Sequence, residues 1–305
     1  MTIEPQKNLP KKLICILGPT AVGKTAVAIE VAKHLNTEIL SADSRQFYQE
    51  LSIGTAKPSA EELAAVPHHF IGHISIHQPY SAGDFERDAL KLLEELFKKH
   101  DVVVAVGGSG LYVKALLEGL DKMPEANEAL RDELNALYKT HGIAALQKRL
   151  AAIVPASALP QDLQNPQRLM RAIEIAEGGG VVKDVYKVKR PFQTLEIIIN
   201  SPRDILYKRI NNRVDNMIQA GLLNEAKQML AYKDLYALQT VGYTELFEAF
   251  EGHNSTEKAI ELIKQHTRNY AKRQITWFKR EQQAHWFEPE QLKEILACVE
   301  SFTKQ

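Results

Sequence analysis

The feature that most constrains the fold is a glycine-rich octapeptide, Gly18–Thr25, which reads G-P-T-A-V-G-K-T. It directly follows the apolar run Leu13–Leu17 and precedes an amphipathic stretch that begins at Ala26. A strand that ends in such a turn and opens a helix points several backbone N–H groups, and the positive end of the helix dipole, at one anion. The pattern therefore predicts a site for a diphosphate or triphosphate, without naming the molecule that carries it.

Each part of this loop has a physical role. The two glycines let the backbone wrap closely around the anion, Lys24 supplies a positive charge, and the Thr25 hydroxyl is suited to hold Mg²⁺. The predicted diphosphate-binding residues are Gly18, Pro19, Thr20, Ala21, Val22, Gly23, Lys24 and Thr25.

Composition excludes several classes of protein. The 305 residues have a net charge of zero, so any contact with nucleic acid must come from a local basic patch. The two cysteines, Cys15 and Cys298, suggest neither disulfides nor a zinc site. The start, Met1–Lys12, is polar, and the chain has no apolar run approaching ~18 residues. We expect a soluble, cytoplasmic protein that is a monomer and does not bind membranes.

From Leu13 to Leu120, short β-branched runs alternate with helical segments. This rhythm is typical of a parallel sheet covered by helices on both faces, in which ligands bind at the carboxyl ends of the strands. The predicted strands are Leu13–Leu17, Glu38–Ala42 and Asp101–Val106, with His69–Ile76 extended, and the predicted helices are Thr25–Leu35 and Asp84–His100.

The rhythm stops near Gly119. A helical pattern then runs to a triple glycine at 178–180, broken by Pro155, Pro160 and Pro166, which indicates an inserted helical lobe hinged at both ends. The predicted lobe helices are Ala126–Thr140, Ile143–Val154 and Gln167–Glu177. After the lobe, a strand that rejoins the sheet is predicted at Thr194–Asn200. The later predicted helices are Arg203–Ala231, Thr244–Glu251, Thr256–Phe278 and Glu290–Phe302. The expected fold class is α/β, with a P-loop parallel-sheet core formed by 1–119 and 181–305 and a small helical domain at 120–180.

Polar or glycine residues follow two of the predicted strands. Asp43 ends the second strand, where a carboxylate beside a phosphate loop either orders Mg²⁺ or accepts a proton, although it also suits a helix cap. Gly107 and Gly108 follow the valine-rich strand, where nucleotide-hydrolysing P-loop proteins commonly carry a Mg²⁺-directing Asp. The glycines argue against an ATPase or GTPase. They suggest either a surface that a substrate passes closely or a tight turn.

Two basic clusters stand out in this neutral chain. Arg168 and Arg171 are three residues apart at the start of a predicted helix, so they share a face. Residues 264–280 mix Lys and Arg with Tyr, Trp and Phe, and Lys264, Arg268 and Lys272 form a stripe. Such a mixture suits a nucleic acid, or it is a solvated helix whose Tyr270, Trp277 and Phe278 pack in the core.

Two further groups of residues have both a functional and a structural interpretation. Arg203, Arg209 and Arg213 lie on one predicted helix and are placed either to neutralise a leaving diphosphate or to pair with Asp215 or Glu225. His68-His69 lacks other ligands at metal spacing and is interpreted as structural.

The order of motifs along the chain closely resembles the bacterial tRNA dimethylallyltransferases, also called tRNA isopentenyltransferases. The resemblance covers about 13–280 and rests on the motif combination, since the phosphate loop alone is shared with kinases. The motifs are 18–25, 43–48 (D-S-R-Q-F-Y), 54–59 (G-T-A-K-P-S), 67–69 (P-H-H), 80–82 (Y-S-A), 107–112 (G-G-S-G-L-Y), 165–171 (N-P-Q-R-L-M-R), 241–243 (V-G-Y) and 270–277 (Y-A-K-R-Q-I-T-W).

The resemblance implies a reaction and a set of site residues. The family transfers a dimethylallyl group from dimethylallyl diphosphate to N6 of adenosine 37, in tRNAs that read codons beginning with U, and Mg²⁺ assists. By resemblance Asp43 is the base, and Lys24, Thr25, Mg²⁺ (through Thr25) and Arg213 stabilise the leaving diphosphate. The residues expected to contact tRNA are Asp43, Ser44, Arg45, Gln46, Ser109, Arg131, Gln167, Arg168, Leu169, Met170 and Arg171.

Two other functions remain open at this stage. A small-molecule P-loop kinase explains the phosphate loop and Asp43 equally well, but leaves the basic clusters without a role. A non-catalytic RNA-binding module explains those clusters but not the phosphate loop.

Overall fold

A computed structural model describes residues 10–120, 127–155, 163–180 and 188–305. Within these ranges the strands are β1 Lys12–Leu17, β2 Ile39–Ser41, β3 His68–His69, β4 Val102–Gly107, β5 Gln193–Ile199 and β6 His285–Phe287. They pair in parallel throughout, in the order β3-β2-β4-β1-β5-β6. Because β1 is central, the loop that follows it lies between the carboxyl ends of β4 and β5.

Both faces of the sheet are buried. Alternate residues of β1 such as Ile14 and Ile16 join one apolar cluster, and the residues between them, such as Cys15, are also almost fully excluded from solvent. This burial explains why the strands are nearly continuous apolar runs rather than alternating ones. The predicted parallel α/β core is confirmed.

Eleven α-helices are described, some of which cover the sheet while others form the lobe. The bounds are α1 Lys24–Leu35, α2 Ala60–Ala65, α3 Ala82–Lys99, α4 Gly110–Glu118, α5 Glu128–Ile153, α6 Pro166–Glu177, α7 Arg203–Gln219, α8 Leu222–Met229, α9 Thr244–Phe250, α10 Thr256–Phe278 and α11 Leu292–Thr303.

The observed elements depart from the predicted ones in a few places. The long helix predicted to end at Ala231 is divided by Gly221, whose φ of 102° starts α8. The extended segment predicted to run from His69 to Ile76 pairs as a strand only at His68–His69. Helices α2 and α4 and strand β6 were not predicted, because short elements carry too little periodicity.

The chain divides into two compact units, the core (Met1–Leu117 and Arg190–Gln305) and the lobe (Glu118–Lys189). In the lobe, α5 bends at Gly142, and its leucines pack with Leu169, Met170 and Ile173 of α6. The predicted polar start at residues 1–9, the helix start at Ala126 and the break at Pro160 lie outside the described residues. Among the helices that are described, none is both long and apolar enough to span a membrane.

Candidate functional site

The phosphate loop joins β1 to α1 through three residues with positive φ: Gly18 (144°), Ala21 (64°) and Gly23 (103°). Gly18 has no room for a side chain, because a Cβ would collide with the carbonyl oxygen of Ile199. Gly23 precedes α1 and provides no side-chain cap, so the first amides of that helix have no capping side chain. The geometry is that of an anion site at a helix N-terminus.

Gln274 of α10 fixes the loop from the side. Its Oε1 accepts a hydrogen bond from the amide of Thr20 at 2.8 Å, and its Nε2 donates to the carbonyl of Gly108 at 2.9 Å. The side chain is 6% exposed. Gln274 therefore joins the loops that follow β1 and β4. Sequence reasoning missed this role, and the only signal was its place within the 270–277 motif.

Lys24 and Arg213 are two of the cations that lie beside the phosphate loop. The Lys24 ammonium donates to the carbonyl of Pro19 at 2.7 Å, and Arg213 Nη1 donates to Thr20 Oγ1 at 3.1 Å. Burial lowers the pKa of Lys24 to about 8, with the Arg213 charge lowering it further and the Asp43 charge opposing both. Burial also lowers the pKa of Arg213. These two half-buried cations, with the carboxylates of Asp43 and Glu62 in the same cavity, favour an anionic ligand.

Asp43 follows β2 and faces the phosphate loop. Its Oδ1 accepts from the amide of Arg45 at 3.0 Å, and its carbonyl accepts from the amide of Gln46 at 3.2 Å. Asp43 thus does stabilise a turn, as the capping interpretation held. The same side chain also lines two cavities of the core.

Those two cavities meet at Asp43. The smaller, of about 370 Å³, is lined by the phosphate loop and is called here the phosphate cavity. The larger, of about 570 Å³, is called the deep cavity. Both are lined by Thr20, Asp43, Thr55, Ala56 and Arg213. A group bound in one cavity can therefore approach a group bound in the other beside a carboxylate and an arginine.

The deep cavity combines an apolar wall with polar groups. Ile210, Val214 and Met217 come from α7, whereas Tyr270 comes from α10. Burial and the Asp43 charge raise the pKa of Tyr270 to about 12, so its hydroxyl stays protonated at neutral pH. The cavity suits a ligand that has both apolar and hydrogen-bonding parts.

The residues near Asp43 that were predicted to contact tRNA make bonds within the protein. The Ser109 hydroxyl accepts from the amide of Ser44 at 3.0 Å and is itself almost buried. The Arg45 guanidinium lies 4.8 Å from the ring centroid of Tyr236 and donates to the carbonyl of that residue at 2.9 Å. Gln46 Nε2 donates to the carbonyl of Ala56 at 2.9 Å. These side chains therefore also hold the walls of the two cavities in place.

The glycines after β4 are required by packing. A Cβ on Gly107 would lie 2.6 Å from the carbonyl oxygen of Ala42, and one on Gly110 would lie 2.5 Å from the Trp277 ring. A Cβ on Gly108 would collide with the Gln274 amide. Gly107 lines the phosphate cavity, whereas the other two glycines allow α10 to pack closely.

Of the two interpretations of the arginines on α7, the structure does not show the ion pairs with Asp215 or Glu225 among the described contacts. Arg209 pairs with Glu290 at 2.7 Å, and Arg213 lines both cavities. Asp215 and Glu225 have other partners: Lys264 at 2.8 Å and a set of backbone amides, respectively. Arg203 lies over the ring of Tyr207.

The basic stripe on α10 is only partly positive. Lys264 is paired with the acidic groups of Asp215 and Glu261. Arg268 is half-buried and donates to the neutral amide of Asn211 at 2.6 Å, so it keeps its charge, and Lys272 is exposed. Of the aromatic residues, Phe278 is buried and Tyr270 lines the deep cavity. The core-packing interpretation is thus confirmed for Phe278, and the contact with nucleic acid stays a prediction.

In the lobe, two predicted tRNA-binding arginines share one buried partner. Arg131 and Arg171 both donate hydrogen bonds to Oε2 of Glu174, at 2.7 Å and 3.0 Å respectively. Although burial raises the pKa of Glu174, these hydrogen bonds and charges lower it overall. The side chains of Leu169 and Met170 are fully buried, and a contact of these two residues with tRNA stays a prediction. In this helix, Gln167 and Arg168 are exposed and Arg171 is half-buried.

The structure supports the structural interpretation of the histidine pair. His68 Nδ1 is 2.7 Å from the carbonyl oxygen of Val66, and His69 Nε2 is 2.7 Å from a carboxylate oxygen of Glu38. Among the described residues, no group of three or more His, Cys, Asp and Glu side chains is placed to hold a metal ion.

Comparison with known proteins identifies relatives along nearly the whole chain. Residues 46–281 match the family model described as IPP transferase. The chain is 50% identical to the tRNA dimethylallyltransferase of Christiangramia forsetii and 47% identical to that of Cytophaga hutchinsonii, covering 95% of this chain and 97% of the relative in each case.

Solved structures give the same result. The tRNA isopentenylpyrophosphate transferase of Bacillus halodurans superposes with a TM-score of 0.72 at 36% identity, over 95% of this chain and 96% of that one. A eukaryotic dimethylallyltransferase acting on tRNA matches with a TM-score of 0.70 at 25% identity, over 91% and 73%. The resemblance inferred from the motif series is confirmed: the chain belongs to the IPP transferase family.

Proposed function

We propose that the protein transfers a dimethylallyl group from dimethylallyl diphosphate to N6 of adenosine 37 in tRNAs that read codons beginning with U. The observation that carries this proposal is the meeting of the phosphate cavity and the deep cavity at Asp43 and Arg213. The naming of the relatives as tRNA dimethylallyltransferases supports the reaction class. The kinase alternative does not fit, since the relatives transfer prenyl groups.

The donor's diphosphate would bind in the phosphate cavity. Amides of the phosphate loop and the half-buried charges of Lys24 and Arg213 oppose the negative charge that grows on the diphosphate as its bond to carbon breaks. Such fixed charges act strongly because they are shielded from water. The glycines after β4 agree with this role, since no nucleotide hydrolysis takes place.

The acceptor would enter through the deep cavity as a base turned out of the RNA stack, as enzymes that act on a base require. The N6 electron pair forms the new bond to the allylic carbon, while the electrons of the C–O bond leave with diphosphate. The proton released from N6 passes to the Asp43 carboxylate, because adenine N6 becomes acidic as it is alkylated. Diphosphate and N6-dimethylallyl adenosine are the products.

The chain offers a small oxygen-donor set for Mg²⁺. Thr25 and Asp43 line the phosphate cavity together, and Mg²⁺ usually takes only one or two protein ligands, with phosphate oxygens and water completing its shell. The residues therefore fit this ion, with the Thr25 hydroxyl as the proposed protein ligand. When bound, Mg²⁺ would neutralise charge on the diphosphate oxygens.

The exposed and half-buried polar residues of the lobe, Gln167, Arg168, Arg171 and Arg131, would bind the tRNA backbone. Backbone contacts fix the position of the RNA, while the cavity selects the base. The proposal includes a monomeric enzyme that acts on cytoplasmic tRNA. Sedimentation of the purified protein measures whether it is a monomer.

A two-donor labelling experiment tests the reaction. The protein is incubated with bulk tRNA and either labelled dimethylallyl diphosphate or γ-labelled ATP, and the digested tRNA is analysed by mass. We expect a dimethylallyl group on adenosine 37 with the first donor and no phosphoryl transfer with the second. Phosphoryl transfer from ATP, or tRNA left unmodified by dimethylallyl diphosphate, would refute the proposal.

A further inference from the structure

Residues 52–57, called here the wall loop, border both cavities. Thr55 and Ala56 line the phosphate cavity and the deep cavity alike. Ala56 has a φ of 49°, an uncommon value for a residue with a side chain. A loop in such a conformation keeps its shape only where the surrounding structure enforces it.

Glu225, in the first turn of α8, enforces that shape. Its Oε2 accepts hydrogen bonds from the amides of Ser52 (3.0 Å) and Ile53 (2.8 Å), and its Oε1 accepts from the amide of Gly54 (2.9 Å). One carboxylate thus takes three consecutive backbone donors. Because the acceptor is charged, these bonds are stronger than bonds to a neutral group.

Tyr243 completes the clamp. Its hydroxyl donates to Glu225 Oε1 at 2.6 Å, and its side chain is fully buried. Burial and the Glu225 charge raise the pKa of this hydroxyl well above its usual value, so it remains a donor. A Cβ on Gly54 would lie 2.7 Å from the Tyr243 ring, so the ring packs directly on the loop backbone.

The wall loop is bonded in turn to the segment that carries Asp43. Gln46 Nε2 donates to the carbonyls of Thr55 (3.3 Å) and Ala56 (2.9 Å), and the Gln46 amide donates to the carbonyl of Asp43 (3.2 Å). A continuous set of hydrogen bonds therefore runs from Glu225 through the wall loop to the residue proposed as the base.

We propose that Glu225, with Tyr243, is a positioning residue that sets the wall loop and, through Gln46, the placement of Asp43 where the two substrates meet. The inference rests on the proposed function for the identity of the substrates. It predicts an effect on the chemical step, because a misplacement of about 1 Å costs on the order of 10²-fold in rate. Binding of either substrate depends mainly on other residues.

Glu225→Gln tests this inference. The amide keeps the side-chain volume, but it has one acceptor oxygen and turns an NH₂ group toward backbone donors. We expect the single-turnover rate, with both substrates saturating, to fall by about 10- to 100-fold. Dissociation constants for tRNA and donor should stay within about twofold, as the cations and loop amides remain. Hydrogen exchange at the amides of 52–54 should become faster, a readout that needs no activity.

Two variants provide the comparison. Glu248→Gln makes the same substitution at an exposed site on the neighbouring α9 and should leave rate and exchange unchanged. In the described contacts, the Glu248 side chain accepts a hydrogen bond only from Asn254. Tyr243→Phe removes one donor but keeps the ring on Gly54. It should therefore lower the single-turnover rate less than Glu225→Gln does.

Each outcome decides the question. A wild-type single-turnover rate in Glu225→Gln, or unchanged exchange at 52–54, overturns the positioning role. A loss of both substrate affinities in step with the melting temperature also overturns it, since that result indicates general destabilisation. If the wild-type protein itself does not prenylate tRNA, the proposed function is refuted instead. The wild-type assay comes before the variants are measured, so the two failures are distinguishable.

Discussion

At the scale of single residues, Asp43 combines two placements that sequence alone presented as alternatives. It accepts from the amide of Arg45, as a turn residue does, and it lines both cavities. The charges of Lys24 and Arg213 lie close to it. This placement suits a carboxylate that accepts a proton while diphosphate leaves on its other side.

We predict that Asp43→Asn lowers the single-turnover rate of prenyl transfer by about 10²–10⁴-fold, because the N6 proton loses its acceptor. Binding of tRNA should change far less, since an amide still forms hydrogen bonds with adenine. Asp101→Asn, at an exposed site before β4, is the control and should behave as wild type. Near wild-type transfer by Asp43→Asn would contradict the role of Asp43 as the base and would leave it a role in the turn or in orienting Mg²⁺.

The lowered pKa of Lys24 predicts a pH dependence. The ammonium loses its proton as the pH rises through about 8, so kcat/KM for the donor should decline on the alkaline side of that value. Lys24→Met should give a low kcat/KM without this decline. A wild-type profile that stays flat through pH 8 would show that Lys24 keeps its charge or does not act on the donor.

The same pKa shift has a consequence for stability. Because the unfolded chain holds this proton up to its ordinary pKa of 10.5, the buried charge opposes folding fully below about pH 8 and progressively less above it. Lys24→Met should therefore not lower the melting temperature at neutral pH, which thermal unfolding measures. A large decrease would indicate that Lys24 contributes to packing.

At the scale of elements, α10 is the helix that joins the parts of the site. Its Gln274 bonds the phosphate loop and the loop after β4, while its Tyr270 lines the deep cavity. The close approach of α10 depends on the small residues Gly108 and Gly110. A change in either glycine should therefore be felt at the phosphate loop.

We predict that Gly108→Ala destabilises the protein by about 1–3 kcal/mol, the usual cost of overpacking. Because the new Cβ displaces the Gln274 amide from its bonds, the KM for the donor should also rise. Gly83→Ala in α3 meets only an ordinary contact at 3.6 Å and should be neutral or stabilising. Denaturant unfolding and donor kinetics measure both effects, and an unchanged KM in Gly108→Ala would separate Gln274 from donor binding.

Regular elements with a strong local pattern could be predicted from sequence. Helix α10 has the predicted bounds Thr256–Phe278, and the apolar runs at β1 and β4 form central strands. β6 was missed, since its three residues carry little pattern. The bonds of Gln274 and Glu225 were missed for another reason: each joins a side chain to backbone amides more than 170 residues away, and no local pattern encodes such a contact.

At the scale of the whole molecule, the core carries the cavities and the lobe carries a second group of cations. In the lobe, the apolar residues of α6 face its own core, and Arg168 is exposed beside them. Arg171 is held by the buried Glu174, which fixes the direction of its guanidinium. This division agrees with the proposal that the reacting groups meet in the core while the lobe binds the tRNA backbone.

We predict that Arg168→Ala and Arg171→Ala weaken tRNA binding without changing donor affinity. Binding of tRNA by the wild type should weaken as the salt concentration rises. Each variant should show a smaller salt dependence, because it makes one phosphate contact fewer and its binding therefore releases fewer counterions. Lys148→Ala, an exposed residue of α5, controls for the loss of one positive charge in the lobe. A change confined to donor affinity would contradict the assignment.

The half-buried cations Lys24 and Arg213 beside the phosphate loop should also affect the end of the catalytic cycle. The Arg213 charge lowers the pKa of Lys24, which means that the two cations repel each other inside the protein. Free diphosphate carries at least as much negative charge as the donor from which it is released. It therefore reduces the repulsion between the two cations at least as strongly as the bound donor does. The charges that help to break the donor's C–O bond therefore also retain the leaving group. Departure of diphosphate, rather than formation of the new C–N bond, should set the pace of repeated turnover.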